Sequence, residues 1–144
     1  MPKERLIELL NKGLELEHQA EGQYLSHATL LSGETADALT DRLVEIAGDE
    51  HKHADLFRKC IEMLDGTPSV KMHAGHPAKT NGEILGVNLK DEREAVDFYR
   101  TIIAELQSCR AELKYEYEYI EHKLRHIIMD EEEHALELRT LLGE

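Results

Sequence analysis

The 144-residue sequence has no tryptophan, two phenylalanines, three prolines and two cysteines. Aromatic residues make up only 5%. So few rings and β-branched side chains, set against abundant Leu, Glu, Ala and Lys, argue against a sheet protein. Cys60 and Cys109 form no C-x-x-C pair and no zinc pattern, which leaves them as small hydrophobes for a core. No run of about 18 apolar residues is present, so no segment is expected to span a membrane. The opening MPKERLIELL lacks an apolar stretch followed by a small-residue cleavage site, so a cytoplasmic location is expected. Basic residues are in short supply as well. Seventeen Lys and Arg face 30 Asp and Glu, for a formal net charge of −13, and such a surface repels the phosphates of nucleic acid.

What remains is a helical composition with 41% hydrophobic residues, enough to fill one core, so residues 1–144 are expected to form a single domain. Glycine and proline mark its joints. Ser32-Gly33 and Asp65-Gly66-Thr67-Pro68 each follow an apolar-periodic segment and read as helix ends. Residues 68–81, with His73, Gly75, His76 and Pro77, have little periodicity and read as a loop. Thr80 or Asn81 then caps a third helix, with Glu83 three residues after Thr80 as in a capping box. No Gly or Pro fixes the next break, which falls somewhere in 107–114. The YEYEY run at 115–119 has the period of a strand but no partner strand, so helix is expected there too. The prediction is all-α, with helices at 3–31, 36–65, 81–108 and 113–142. Short joints make the first two antiparallel neighbours, and the last two likewise. The longer loop between helices 2 and 3 can cross the bundle.

Heptad spacing exposes an unusual seam. The first helix carries Leu10, Glu17, Tyr24 and Leu31 at seven-residue steps, and the third carries Leu85, Glu92, Tyr99 and Leu106. The two ladders match in type 75 residues apart, and Ala20 and Ala95 each follow the glutamate by three. The second helix steps by three and four through Leu43, Ile46, Glu50, His53, Phe57, Cys60 and Leu64. The fourth does so through Leu124, Ile127, Glu131, His134, Leu138 and Leu141. These steps define an apolar bundle face. The chain therefore reads as a duplicated helix pair with a carboxylate in the middle of every seam.

A buried carboxylate costs several kcal/mol, and four together repel one another. No Lys or Arg shares these seams. Two imidazoles do, each three residues after a glutamate, where an i, i+3 pair shares one helix face. Four carboxylates carry a charge that two divalent cations would cancel. The E-x-x-H spacing alone is weak, because so many Glu and His would produce one or two such pairs by chance. Glu15/His18 lies off the ladder and is set aside. The whole pattern Glu17, Glu50-x-x-His53, Glu92, Glu131-x-x-His134 is far more specific and reads as six metal ligands. Oxygen-rich sites with two imidazoles suit iron, or manganese, better than thiolate-seeking zinc or copper. Asp49 and Asp130 precede the histidines by four residues and are placed to accept a proton-bearing nitrogen from the facing helix's imidazole.

The segments LNKGLELEHQAEGQYLSHA, GDEHKHADLFRKCIEMLDGTP and RHIIMDEEEHALEL resemble the bacterioferritins of the ferritin-like superfamily. The resemblance covers nearly the whole chain and falls on all six proposed ligands. It implies a ferritin-like four-helix bundle, two iron ions (manganese remaining open), and a ferroxidase that oxidises Fe(II) with O₂ or H₂O₂ and sequesters ferric iron. It also implies a role for Tyr24 beside the site, and the seam repeat puts Tyr99 at the matching place. Three departures qualify it. His51 stands where the family's haem-binding Met follows the ligand glutamate, which argues against haem. The sequence runs only ten residues past His134, short of the family's fifth helix. The interval Glu92–Glu131 is 39 residues against 33 for Glu17–Glu50. A homo-oligomer is expected, either a dimer or dimer units assembled into a 12- or 24-subunit shell.

Two other functions fit the same pattern: a rubrerythrin-like or manganese-catalase-like peroxide scavenger, and a non-enzymatic metal-stabilised bundle. Rubrerythrins carry a further glutamate one turn past the third-helix ligand, where this chain has Ala95. Among the remaining histidines, His122 and His126 read as a solvated face of the last helix. His73 and His76 read as loop residues without acidic neighbours, and His27 receives no role.

Overall fold

The computed structural model describes residues 2–144. Helix α1 spans Pro2–Ala28, α2 Ala36–Met63, α3 Asn81–Ser108 and α4 Tyr117–Leu142. All four are built on the three-and-four spacing of Leu, Ile and Glu, and the described residues include no strand. The chain is an all-α four-helix bundle. α1 packs along α2 and α3 along α4, while α1 also meets α3 and α2 meets α4.

The joints differ from expectation in local ways. α1 stops at Ala28 rather than residue 31, because Thr29 and Leu30 tighten into i−3 hydrogen bonds to Ser26 and His27. Gly33 then takes φ 91°, the left-handed region that glycine enters without strain, and Leu31 lies half-buried beyond the helix. The second helix ends two residues early, since Asp65 adopts φ 60° and Gly66 N–H turns back to the Ile61 carbonyl. α3 starts where predicted, with Thr80 Oγ1 accepting from Glu83 N–H at 3.1 Å. α4 begins at Tyr117 rather than 113. A short 3₁₀ turn, Arg110–Glu112, intervenes, and Cys109 and Leu113 on either side of it are buried in the end of the bundle. Leu141, counted in the α4 seam, is 43% exposed because the seam runs past the last packed turn.

The core comes in two parts. One apolar cluster joins Leu6, Leu10 and Leu14 of α1 with Phe57, Ile61, Ile102, Leu106 and Leu124. The other joins Tyr24 and Ala28 with Leu43, Ile46, Ile84, Leu85 and Leu138. Between them lies a polar layer. At about 1.5–3 kcal/mol for each large side chain removed from water, the two clusters supply the main driving force for folding around that layer.

The crossover follows α1 from Asn11 onward. Asn11 Nδ2 donates to Thr67 O at 3.0 Å and its Oδ1 accepts from Ser69 N at 2.7 Å. Farther along, Glu15 accepts from Ser69 Oγ at 2.7 Å, and His18 meets the Lys71 carbonyl at 3.1 Å. Gln23 Oε1 then accepts from His76 N at 2.6 Å, and His27 reaches the His76 carbonyl at 2.9 Å. Asn81 finally locks onto Ser32 in both directions, at 2.8 and 3.0 Å. Residues 67–81 thus climb beside residues 11–32 and deliver α3 to the far end of the bundle, antiparallel to α1. The expectation that His73 and His76 lack acidic neighbours is wrong: His73 Nε2 lies 2.6 Å from Glu15 and His76 Nδ1 2.9 Å from Asp91. Glu15 on α1 and Asp91 on α3 meet the loop because it climbs beside α1 to the start of α3.

α1 and α2 pack tightly at Gly13, where an added Cβ would lie 2.6 Å from the Phe57 ring. Gly13→Ala therefore lowers stability by about 1–3 kcal/mol through overpacking. Gly22→Ala, whose Cβ would meet nothing within 4 Å, raises it by about 0.5–1 kcal/mol through lower unfolded-chain entropy. Urea unfolding of the two variants measures both signs.

Candidate metal centre

Glu17, Glu50, His53, Glu92, Glu131 and His134 are between 0 and 3% exposed and meet in the polar layer. They fall into two clusters that share two members. Glu17, Glu50, His53 and Glu131 have ligand atoms within 4.8 Å of one another, and so do Glu50, Glu92, Glu131 and His134. The seam arithmetic explains this. Glu17 and Glu92 occupy equivalent rungs on α1 and α3, while each E-x-x-H pair turns a carboxylate and an imidazole from one helix toward the same centre.

The surrounding groups have the same twofold pattern. Tyr24 donates its hydroxyl to Glu92 Oε1 at 2.7 Å, and Tyr99 donates to Glu17 Oε1 at 2.7 Å, so each tyrosine serves the glutamate of the other ladder. His53 Nε2 lies 2.7 Å from Asp130 Oδ2, and His134 Nε2 lies 2.9 Å from Asp49 Oδ2. Both aspartates thus reach the imidazole of the facing helix, as the sequence reading expects. A carboxylate on Nε2 fixes the proton there and leaves the Nδ1 lone pair free. His53 Nδ1 faces Glu50 and Glu131 at 3.3 Å and Glu17 at 3.6 Å. His134 Nδ1 faces Glu131 at 3.3 Å and Glu50 and Glu92 at 3.5 Å.

These central atoms are close together without being satisfied. Glu17 Oε2, both oxygens of Glu50, Glu92 Oε2, Glu131 Oε1 and the Nδ1 atoms of His53 and His134 have no hydrogen-bond partner. Buried polar groups are almost always paired, so seven orphans in one layer mark a place built for something else. Burial, and then the charges of neighbouring glutamates, push the carboxyls of Glu50 and Glu131 well above the usual range. Burial opposes a charge on the imidazoles, but the glutamates around them prevail. His53 is raised, and His134 is raised to about 9. Burial and the adjacent carboxylates also hold Tyr24 and Tyr99 far above an ordinary phenol, so both remain hydrogen-bond donors. A pair of cations suits this donor set and would replace the protons the layer otherwise requires.

Sequence reasoning missed a polar group beside the centre. Gln23 Nε2 donates to Asn88 Oδ1 at 2.9 Å and to Asp91 Oδ2 at 2.8 Å, and Asn88 Nδ2 meets His27 Nδ1 at 2.9 Å. Asn88 carried a signal, since it lies between Leu85 and Glu92 on the α3 seam. Glu15 and His18, set aside earlier, hold the crossover rather than the centre. His51 pairs at the surface with Glu21 at 3.2 Å. His126 is exposed, 3.4 Å from Asp130. Burial raises the Cys60 thiol to about 12, which keeps it inert.

A four-helix bundle whose middle layer is a shared set of four glutamates and two histidines defines a carboxylate-rich, metal-capable class of protein. The chain belongs to the ferritin family, whose model, described as a ferritin-like domain, matches residues 7–144. Two curated relatives are named bacterial ferritin. One, from Pseudomonas aeruginosa, is 34% identical over 88 residues, covering 61% of this chain and 57% of its own length. The other, from Paramagnetospirillum magnetotacticum, is 31% identical over 105 residues, covering 73% and 60%. The matches thus span less than two thirds of either relative. A crystal structure described as ferritin-like, diiron-carboxylate proteins from Bacillus anthracis str. Ames superposes with a TM-score of 0.90 at 27% identity, over 99% of this chain and 98% of that one.

If the orphaned atoms are cation ligands, a divalent ion such as Co²⁺ raises the unfolding temperature, and a chelator reverses the gain. The stabilisation is about 2.7 kcal/mol at a free ion concentration one hundred times Kd. In Glu50→Gln/Glu131→Gln the metal increment disappears. Its metal-free form is more stable than the metal-free parent, on the order of 1 kcal/mol or more, because buried charge is removed. Thermal unfolding with and without the ion tests both.

Proposed function

We propose that the chain is a ferroxidase and iron-storage protein: Fe²⁺ is the substrate, O₂ or H₂O₂ the oxidant, and ferric iron the sequestered product. The observation that carries this reading is the set of seven unpartnered, buried ligand atoms on Glu17, Glu50, His53, Glu92, Glu131 and His134. The description of the Bacillus anthracis structure as diiron-carboxylate favours iron over manganese, and the relatives' name, bacterial ferritin, favours storage.

In this reading Glu17 and His53 hold one Fe²⁺, Glu92 and His134 hold the other, and Glu50 and Glu131 belong to both. Each ion gives up one electron. O₂ takes the pair with two protons and leaves as H₂O₂, or H₂O₂ takes the pair with two protons and leaves as water. The protein's part is electrostatic and positional. Four carboxylates favour the higher charge of the ferric product, Asp49 and Asp130 keep the imidazole lone pairs aimed inward, and Tyr24 and Tyr99 fix one oxygen of each terminal glutamate. Around this site we place a homo-oligomer of dimer units, up to a shell of 12 or 24 subunits. Its acidic interior surface would draw Fe²⁺ and seed ferric oxide.

Fe²⁺ oxidation followed by ferric absorbance tests the proposal. The wild type accelerates oxidation and builds soluble ferric mineral, and Glu50→Ala lowers the catalysed rate roughly 100-fold or more. A Glu50→Ala protein as fast as wild type sinks the ferroxidase reading. Peroxide consumption without mineral growth would transfer the site to a peroxide scavenger. Light scattering gives the size of the assembly.

A further inference from the structure

Between α1 and α3 a cleft of about 230 Å³ runs inward from the surface and ends on the centre, with Glu50, Glu92 and Glu131 in its lining. Its walls follow the 75-residue repeat. Ala20 and Ala95, Tyr24 and Tyr99, and Gln19 and Glu94 are repeat-equivalent pairs within its lining. The cleft reaches both ligand clusters through Glu50 and Glu131, which they share, and touches Glu92 of one of them. The deep carboxylates along it are unpartnered: Glu50 at both oxygens, Glu92 at Oε2 and Glu131 at Oε1.

The outer walls do not suit a hydrated cation. Leu16, Ala20, Ala95 and Phe98 are apolar, and of the two wall carboxylates Asp91 is already engaged. Asp91 accepts from Gln23 and lies 2.9 Å from His76, while Glu94 is turned to solvent beside Lys90 at 3.8 Å. A divalent ion sheds water only as oxygen ligands replace it, and between the exposed Glu94 and the floor the lining offers no free carboxylate. On the opposite, α2/α4 side, by contrast, Asp49 and Asp130 are partly exposed and touch the distal nitrogens of His134 and His53. The volume is ample for several molecules of water size.

We propose that the α1/α3 cleft is the entry site for the oxidant, a small neutral molecule such as O₂ or H₂O₂, with Ala20 and Ala95 setting its aperture, and that Fe²⁺ enters elsewhere. This rests on the ferroxidase reading. It gives a reason for the paired alanines: between α1 and α3 at this point, a branched side chain such as leucine would fill the passage.

The test variant is Ala20→Leu/Ala95→Leu, with Ala20→Ser/Ala95→Ser as the small-residue control and Ala95→Val as a milder plug. Three readouts are needed: Fe²⁺ oxidation rate, the rate and stoichiometry of Co²⁺ binding by visible absorbance, and nitric oxide binding to the anaerobic Fe²⁺ protein. In the leucine variant, oxidation and nitric oxide binding slow by roughly tenfold or more, the Co²⁺ readouts stay within about twofold of wild type, and the serine variant behaves as wild type. Ala95→Val falls between, and decides the matter if the leucine variant does not fold. Unchanged nitric oxide binding overturns the proposal, as does Co²⁺ binding slowed in parallel. A wild type that binds Fe²⁺ and nitric oxide but does not oxidise iron sinks the ferroxidase reading instead, and nitric oxide entry still tests the cleft.

Discussion

Four carboxylates in a water-poor layer are the constraint around which this bundle is built. Each would cost several kcal/mol to bury as an anion, and together they repel. Among the described residues no lysine or arginine is buried to neutralise them; the buried charged and polar residues are glutamates, histidines, a glutamine and an asparagine. Two tyrosines donate to one oxygen of Glu92 and of Glu17, and the imidazoles stand among the rest. That arrangement holds geometry without cancelling charge. It leaves the layer dependent on protons or cations, and it divides the hydrophobic core into two clusters, one at each end. The apolar ends carry the folding free energy, so the middle can be left unsatisfied.

The second requirement is to bring α1 and α3 together, since the tyrosine–glutamate bonds cross between them. The crossover does this. It follows α1 for most of its length and ends where Asn81 and Ser32 exchange hydrogen bonds, which sets α3 antiparallel to α1. Only in that direction does Tyr24 reach Glu92 while Tyr99 reaches Glu17. A short hairpin between α2 and α3 would start α3 at the other end and separate the tyrosines from their partners. The loop's length is therefore a condition for the centre's symmetry.

This distinction also explains what can be read from the sequence. Seam periodicity carries helix number, the paired E-x-x-H motifs and the Leu-Glu-Tyr-Leu ladders, because each is a local repeat whose consequence is a shared face. The aspartate–imidazole contacts follow from the same periodicity once the helices are set antiparallel. Contacts between distant and unlike segments do not follow. Nothing near His73 in sequence indicates Glu15, 58 residues away, and Gln23 meets Asn88 and Asp91 only after the bundle has closed. The start of α4 at Tyr117 is not legible for a different reason. The chain turns there without Gly or Pro, using a 3₁₀ turn held by the burial of Cys109 and Leu113, and burial at a helix end has no period.

The 75-residue repeat shows where identity is required and where it is not. Facing inward, Glu17 and Glu92, Ala20 and Ala95, and Tyr24 and Tyr99 are the same residues, because a centre shared by two equivalent clusters needs equivalent supports. Facing the crossover, the match is lost. Asn11, Glu15, His18, Gln23 and His27, which hold the loop, correspond to Gly86, Lys90, Arg93, Phe98 and Ile102. The bundle has one crossover and therefore one helix that must offer it polar groups, and α3 is free to use its equivalent positions for packing and solvent. The −13 charge of the chain divides along the same line. Four of its acids belong to the symmetric interior, where cations would cancel them, while acids such as Glu15 and Asp91 serve the asymmetric exterior by holding the crossover. The two demands are met by different turns of the same helices, and so a symmetric centre can form inside an asymmetric chain.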